Sequence, residues 1–109
     1  MKLILAVVHD EDGVKLMEEL NKNGFSVTKL ASTGGFLKSG NTTLMIGTEE
    51  DKVQTAIDVI TEKSQTRKQV VASPMPVSGI AGGYTSYPVV VSVGGATIFV
   101  VDVERFEKV

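Results

Sequence analysis

Residues 42–60 read TTLMIGTEEDKVQTAIDVI, and the change of period inside this stretch decides the fold. The first part, Thr42 to Ile46, is short, apolar and partly β-branched, which reads as a strand ending at Gly47. In the second part Val53, Ala56, Ile57 and Ile60 fall at i, i+3, i+4 and i+7, the apolar face of a helix. Thr48 stands where a helix cap is expected. Glu49, Glu50 and Asp51 follow in the first turn, where acids complement the helix dipole. Asp51 lies three residues after Thr48, close to a capping box. The dipole accounts for these acids better than a metal site does.

Working outward, the same strand-then-helix order comes earlier in the chain. Leu3 to Val8 is a continuous apolar run bounded by Asp10-Glu11-Asp12, which predicts a strand buried on both faces or nearly so. Asp10 or Asp12 is placed to cap the helix that follows. Val14, Met17 and Leu20, with Leu16 beside them, supply its apolar stripe, and Asn23-Gly24 stops it. Phe25 to Leu30 then alternates apolar and polar, the period of a half-buried strand. Ser32 to Asn41, with three Gly, two Ser, a Thr and an Asn, is a loop by composition.

Beyond Lys63 the pattern is less regular. Gln69 to Ala72 reads as a possible strand, and Ser73 to Pro88, which holds all three prolines, as a long irregular loop. Val89 to Val93 and Ala96 to Val103 flank Gly94-Gly95, a hairpin signal. There is no repeat of fixed period. The order is therefore β-α-β-β-α-β with an added C-terminal strand and long loops. This is an α+β, ferredoxin-like arrangement with two helices on one face of an antiparallel sheet. The other face needs cover, and apolar runs such as Ile98 to Val101 predict burial against partner subunits.

Composition narrows the function. The 109 residues suit a single domain, residues 1–109. There is no Cys, which removes disulfides, thiolate metal sites and cysteine nucleophiles. The lone His9 leaves no histidine metal cluster and no ready triad, and reads as a half-exposed strand-end residue. With 11 Lys and Arg against 13 Asp and Glu, the net charge of -2 argues against nucleic-acid binding. No apolar run approaches the ~20 residues of a membrane span. The N-terminal MKLILAVVHDEDG reads as a strand rather than a signal peptide, so the cytoplasm is expected.

Four of the 11 glycines, Gly34, Gly35, Gly40 and Gly47, fall within fourteen positions. Such a segment lets backbone approach a ligand and can present amides to an anion. Thr33, Ser39, Asn41, Thr42 and Thr43 add neutral donors and acceptors, and Phe36 and Leu37 can cover a flat apolar group. A surface turn with its aromatic tucked into the core is an equal reading of these residues. Neither a Walker A pattern nor a strict G-x-G-x-x-G is present. Gly79 to Gly83, with Tyr84 and Tyr87, mark either a ligand-responsive segment or a tolerated insertion. Arg67 and Arg105 are the only arginines, and Arg105 reads as a solvated surface residue.

The stretch TKLASTGGFLKSGNTTLMIG, residues 28–47, closely resembles the PII-like cyclic di-AMP receptor family (PstA/DarA-like), and VGGATIFVV at 93–101 extends the match. The resemblance covers essentially the whole chain. It implies a cytosolic bacterial homotrimer with a ferredoxin-like core similar to PII proteins, binding the second messenger cyclic di-AMP between subunits without catalysis. Thr28, Gly35, Phe36, Leu37, Asn41 and Gly47 match positions lining that pocket, and Phe99 matches a residue from the neighbouring subunit. Many members carry Arg where this chain has Ser26, and some have an uncharged polar residue where it has Lys108. The expected partners are cyclic di-AMP, two further copies of the chain and an unidentified protein effector, with no resident cofactor or metal. The expected response to ligand is an ordering of the loops at Ser32 to Asn41 and Ser73 to Pro88.

Two other functions stand beside this one. A PII-like regulatory interaction module would hold ATP or another nucleotide, but PII proteins proper use a long tip loop and basic residues, whereas the first loop here carries only Lys38. A small enzyme on the same scaffold is disfavoured by the lack of Cys and of a clustered acid–base pair.

Overall fold

The computed structural model describes residues 1–30, 40–76 and 84–109. Its elements are β1 (Lys2–His9), α1 (Asp10–Lys22), β2 (Val27–Leu30), β3 (Asn41–Thr48), α2 (Glu50–Lys63), β4 (Arg67–Pro76), β5 (Tyr84–Val93) and β6 (Ala96–Asp102). Four strands form an antiparallel sheet in the order β2-β3-β1-β6, while among the described residues β4 and β5 form a separate two-stranded sheet. This is the expected α+β arrangement, with a βαββαβ-like order. Its fourth sheet position is filled by the last strand, so the additional strands form a hairpin inserted ahead of β6.

The core follows from alternation. Along β1, Ile4, Ala6 and Val8 are buried on the helix side, while Leu3, Leu5 and Val7 point the other way and are half-buried. Leu44 and Ile46 of β3 join the buried set, and Leu16, Leu20, Ala56 and Ile60 close it from the two helices. Each fully buried Leu or Ile contributes about 2 kcal/mol of transfer free energy.

Several local expectations change. Residue 9, not Asp10 or Asp12, holds the N-cap position of α1, and it makes no side-chain cap bond. The Asp10 carboxylate instead accepts a hydrogen bond from the Thr42 hydroxyl, and its amide donates to the Gly40 carbonyl at 2.9 Å. Thr48 does not cap α2: it is the buried last residue of β3, and Glu49 precedes the helix without a side-chain cap. The buried stripe of α1 runs through Asp12, Gly13, Leu16 and Leu20, which leaves Val14 exposed. The Asn23-Gly24 stop is found as expected. Gly24 takes φ +86°, and the amides of Gly24 and Phe25 donate back to the carbonyls of Asn21 and Leu20.

The largest corrections lie beyond α2. The segment read as a loop from 73 to 88 contributes residues 73–76 to β4 and 84–88 to β5, in an unbroken register from Arg67↔Val93 to Pro76↔Tyr84. Gly94-Gly95 does not turn a hairpin, because β5 pairs with β4 whereas β6 pairs with β1. Both glycines have φ +87°, and they redirect the chain from one sheet into the other.

The root of the β4–β5 hairpin is fixed by one ion-pair cluster. Asp12 is almost fully buried, and Arg67 Nη2 donates to its Oδ1 at 2.7 Å. Arg67 Nη1 also donates to the Gln65 carbonyl at 3.1 Å, and Nη2 reaches Glu11 at 3.4 Å. A buried carboxylate needs such a partner, and a guanidinium fork meets it with several donors.

At the far end of the sheet Lys2 and Asp102, cross-strand partners, form an exposed ion pair. The hydrogen bond from Lys2, then its charge, holds the Asp102 carboxyl below its ordinary range. A carboxyl whose pKa falls on folding contributes stability above its unfolded value, about 3.9, and loses it as pH drops through the folded value. Asp102→Asn is thus expected to lower the melting temperature slightly at neutral pH and low salt. The difference should vanish on acidification through that range and shrink in high salt. A gap between the two proteins that persists in strong acid would contradict the pairing.

Candidate functional site

Directly paired residues of an antiparallel sheet lie on the same face. The register therefore places Thr28, Met45, Leu5 and Phe99 in one row across the sheet face turned away from the helices. A second row holds Leu30, Thr43, Val7 and Thr97. Gly47 with Leu3 and Val101 flanks the first row, and Asn41 with His9 flanks the second.

The described members of the sequence-predicted set, Thr28, Asn41, Gly47 and Phe99, thus share this one face. Gly35, Phe36 and Leu37 lie outside the described residues. Gly47 sits diagonally beside Thr28. Asn41 and Gly47 sit at opposite ends of β3, about 20 Å apart at the rise of a strand. Thr28 and Phe99 occupy opposite edges of the sheet, three strand spacings or about 14 Å apart. One chain therefore does not gather all four into one pocket. Ser26 is exposed immediately before β2, two residues from Thr28.

Chemically the face is neutral. His9 is the one titratable side chain in the rows named above. The rest are apolar residues, threonines, Asn41 and Gly47. An anion held here would meet hydroxyls, a side-chain amide and backbone rather than cations. A cavity of about 270 Å³ opens at the Asn41 end, lined in part by Val7, His9, Asn41, Gly94 and Thr97. A cavity of about 410 Å³ lies instead along α1 and α2 beside Arg67 and contains none of the predicted residues.

Gly47 is informative because the chain itself does not require it. Its φ is ordinary, and a Cβ built there meets no atom within 4 Å. Glycine inside a strand costs about 0.5–1 kcal/mol relative to alanine. It is the residue expected where another molecule's atoms approach the backbone. Phe99 is informative for the opposite reason, since 43% of a large aromatic is exposed on an edge strand. Val101 beside it on the same face is 45% exposed.

Two features escaped the sequence reading of the site. Thr43 appeared there only as one of several neutral donors. Yet it lies between Asn41 and Met45 on the same face of β3, at alternating positions that the strand period alone reveals. The Arg67–Asp12 pair joins residues 55 positions apart and left no local signal.

The family profile described as "Cyclic-di-AMP receptor" matches residues 1–109 of the chain. Among solved structures, a functionally unknown protein from Pediococcus pentosaceus is similar, with 40% sequence identity and a TM-score of 0.76. The match covers 99% of this chain and 96% of that one.

Proposed function

The chain belongs to the cyclic-di-AMP receptor family, and from that premise we propose that it binds cyclic di-AMP in clefts between the subunits of a homotrimer. In this reading it is a cytoplasmic sensor, its 109 residues acting as one ligand-binding domain. Family membership makes it a receptor, not an enzyme, and the ligand of the family is cyclic di-AMP.

The observation that carries the inter-subunit reading is the split of Thr28 and Phe99 across the two edges of one sheet face. A head-to-tail neighbour that brings its own Phe99 toward Thr28 and Gly47 completes a site that one chain leaves in halves. Two further observations support assembly. The face opposite the helices keeps Leu3, Leu5, Val7 and Met45 half-exposed. In addition, β4 and β5 pack chiefly on each other, and an isolated two-stranded hairpin is only marginally stable in water.

Each residue has a part in this proposal. Phe36, Leu37 and the neighbour's Phe99 supply apolar and aromatic faces for the two adenines. The backbone at Gly35 and Gly47 approaches phosphate or base edges, and Asn41 and Thr28 give directional hydrogen bonds. Binding alters the segment between β2 and β3, and that change is read by a protein effector.

Titration calorimetry with cyclic di-AMP, cyclic di-GMP and ATP tests the ligand. Saturable binding of cyclic di-AMP in preference to the other two is expected. Its absence, at concentrations where light scattering reports a trimer, would sink the proposal, and preferential ATP binding would replace the ligand. Asn41→Ala and Phe36→Ala should each weaken binding about tenfold while leaving the oligomer intact. Wild-type affinity in both would move the pocket elsewhere.

A further inference from the structure

β1 ends at His9, the only histidine in the chain. By the strand period its side chain lies on the face that carries Leu3, Leu5 and Val7, away from the helices. Its cross-strand partner is Asn41. Directly paired residues hold their Cβ atoms about 4.5–5.5 Å apart, so an atom that touches the Asn41 amide stands within reach of the imidazole. On the other side the register Val8↔Ala96 brings Gly95 and Gly94 up beside it, and neither carries a side chain. His9, Asn41 and the two glycines line the cavity of about 270 Å³. His9 is half-buried, so its ring is held in the cavity wall and remains open to a ligand.

The fold gives this imidazole no other task. His9 stands at the N-cap position of α1 without a side-chain cap bond. Among the described residues its ring enters no hydrogen bond and no ion pair. The charged groups around it are engaged elsewhere. Asp10, which opens α1, accepts the Thr42 hydroxyl. Glu11 and Asp12 of α1 hold Arg67 of β4, which stands beside Gly94. From β3 and β6 the neighbouring residues Asn41, Thr43 and Thr97 are uncharged. His9 is thus the one titratable side chain lining the cavity among the described residues.

A wall with an imidazole, an amide and no carboxylate suits an anion. A neutral imidazole donates one N–H, whereas a protonated ring donates two and carries a charge. A phosphate group offers only acceptors, so it favours the protonated ring. We propose that His9 is an unassigned phosphate contact of the cyclic di-AMP site, working beside Asn41 and strengthened by protonation. This rests on the cyclic di-AMP reading above and adds a residue to it. Linkage fixes the sign: a ligand that favours the protonated ring binds more tightly as pH falls. Imidazoles change charge between about pH 5 and 8, a range in which a phosphodiester stays ionised.

Calorimetry at about pH 8 and about pH 5.5 compares the wild type with His9→Gln, which keeps a hydrogen-bonding side chain but does not titrate. Light scattering checks that the oligomer is the same at both. The wild type should bind cyclic di-AMP about fivefold more tightly at the lower pH. His9→Gln should bind alike at the two, close to the weaker wild-type value. A second measurement needs only the wild type. Its single histidine makes the ring signals identifiable by NMR, and saturation with cyclic di-AMP should move their titration midpoint to higher pH. Wild-type affinity that does not change with pH would overturn the contact, as would a pH response that survives intact in His9→Gln. A ring midpoint that the ligand leaves in place or lowers would overturn it too. Failure of the wild type to bind cyclic di-AMP at either pH would instead remove the reading on which the contact depends.

Discussion

Gly94→Ala is expected to cost the protein about 3 kcal/mol or more, lowering its melting temperature by about 12 °C. Two separate penalties combine. Gly94 has φ +87°, a region that strains any residue carrying a Cβ. In addition, that Cβ would overlap the Gln65 backbone carbonyl and stand 2.8 Å from Arg67 Nη1. The guanidinium can swing aside, but only by loosening its hold on Asp12. The carbonyl belongs to the backbone that connects α2 to β4 and cannot move alone. Gly24→Ala provides the control, because φ there is +86° but a Cβ meets nothing within 4 Å. That variant should bear the conformational penalty alone, about 1–2 kcal/mol. Thermal melts of the two variants side by side check the argument. Equal losses would show that the close approach at Gly94 relaxes freely and that the root of the hairpin is not held as described.

The contrast between these glycines also shows how much the sequence could say. Periodicity found β1, α1, β3 and α2 because each buries one face against the same core, and Ile4, Leu16, Leu44 and Ile60 carry that signal locally. It misjudged the caps because Asp10 and Asp12 had better partners far along the chain, Thr42 and Arg67. A side chain read in isolation cannot reveal which acceptor competes for it. The same limit produced the false hairpin at Gly94-Gly95. Two β-rich runs around two glycines specify strands and a bend, but pairing depends on β1 and β4, which lie elsewhere. Proline and glycine in 73–88 masked strand residues that a hairpin outside the main sheet tolerates. The candidate residues Thr28, Asn41, Gly47 and Phe99 came from the family resemblance, and the strand register puts them on one sheet face. What sequence could not show was the 14 Å scale that separates Thr28 from Phe99.

That separation yields the most decisive test of the proposed assembly. Gly47→Val should abolish binding when pure, and Phe99→Ala should weaken it by about one to two orders of magnitude, for different reasons. At Gly47 a Cβ meets no atom of its own chain within 4 Å, so the valine variant should fold and melt close to wild type. Its side chain would project onto the site face and block approach to the backbone. Phe99→Ala removes an aromatic surface, and stacking on one base is worth about 1–3 kcal/mol, one to two orders of magnitude in affinity. If Gly47 of one subunit and Phe99 of its neighbour build the same cleft, the two defects lie in different chains and can complement. Refolding the variants together at equal ratio gives mixed trimers. A cleft is intact only where the first subunit keeps Gly47 and the second keeps Phe99. Random assortment then restores about a quarter of the sites, each with wild-type affinity. Calorimetric stoichiometry reads this directly. Were Gly47 and Phe99 to serve a site within one chain, every chain in the mixture would carry one defect and no tight sites would return.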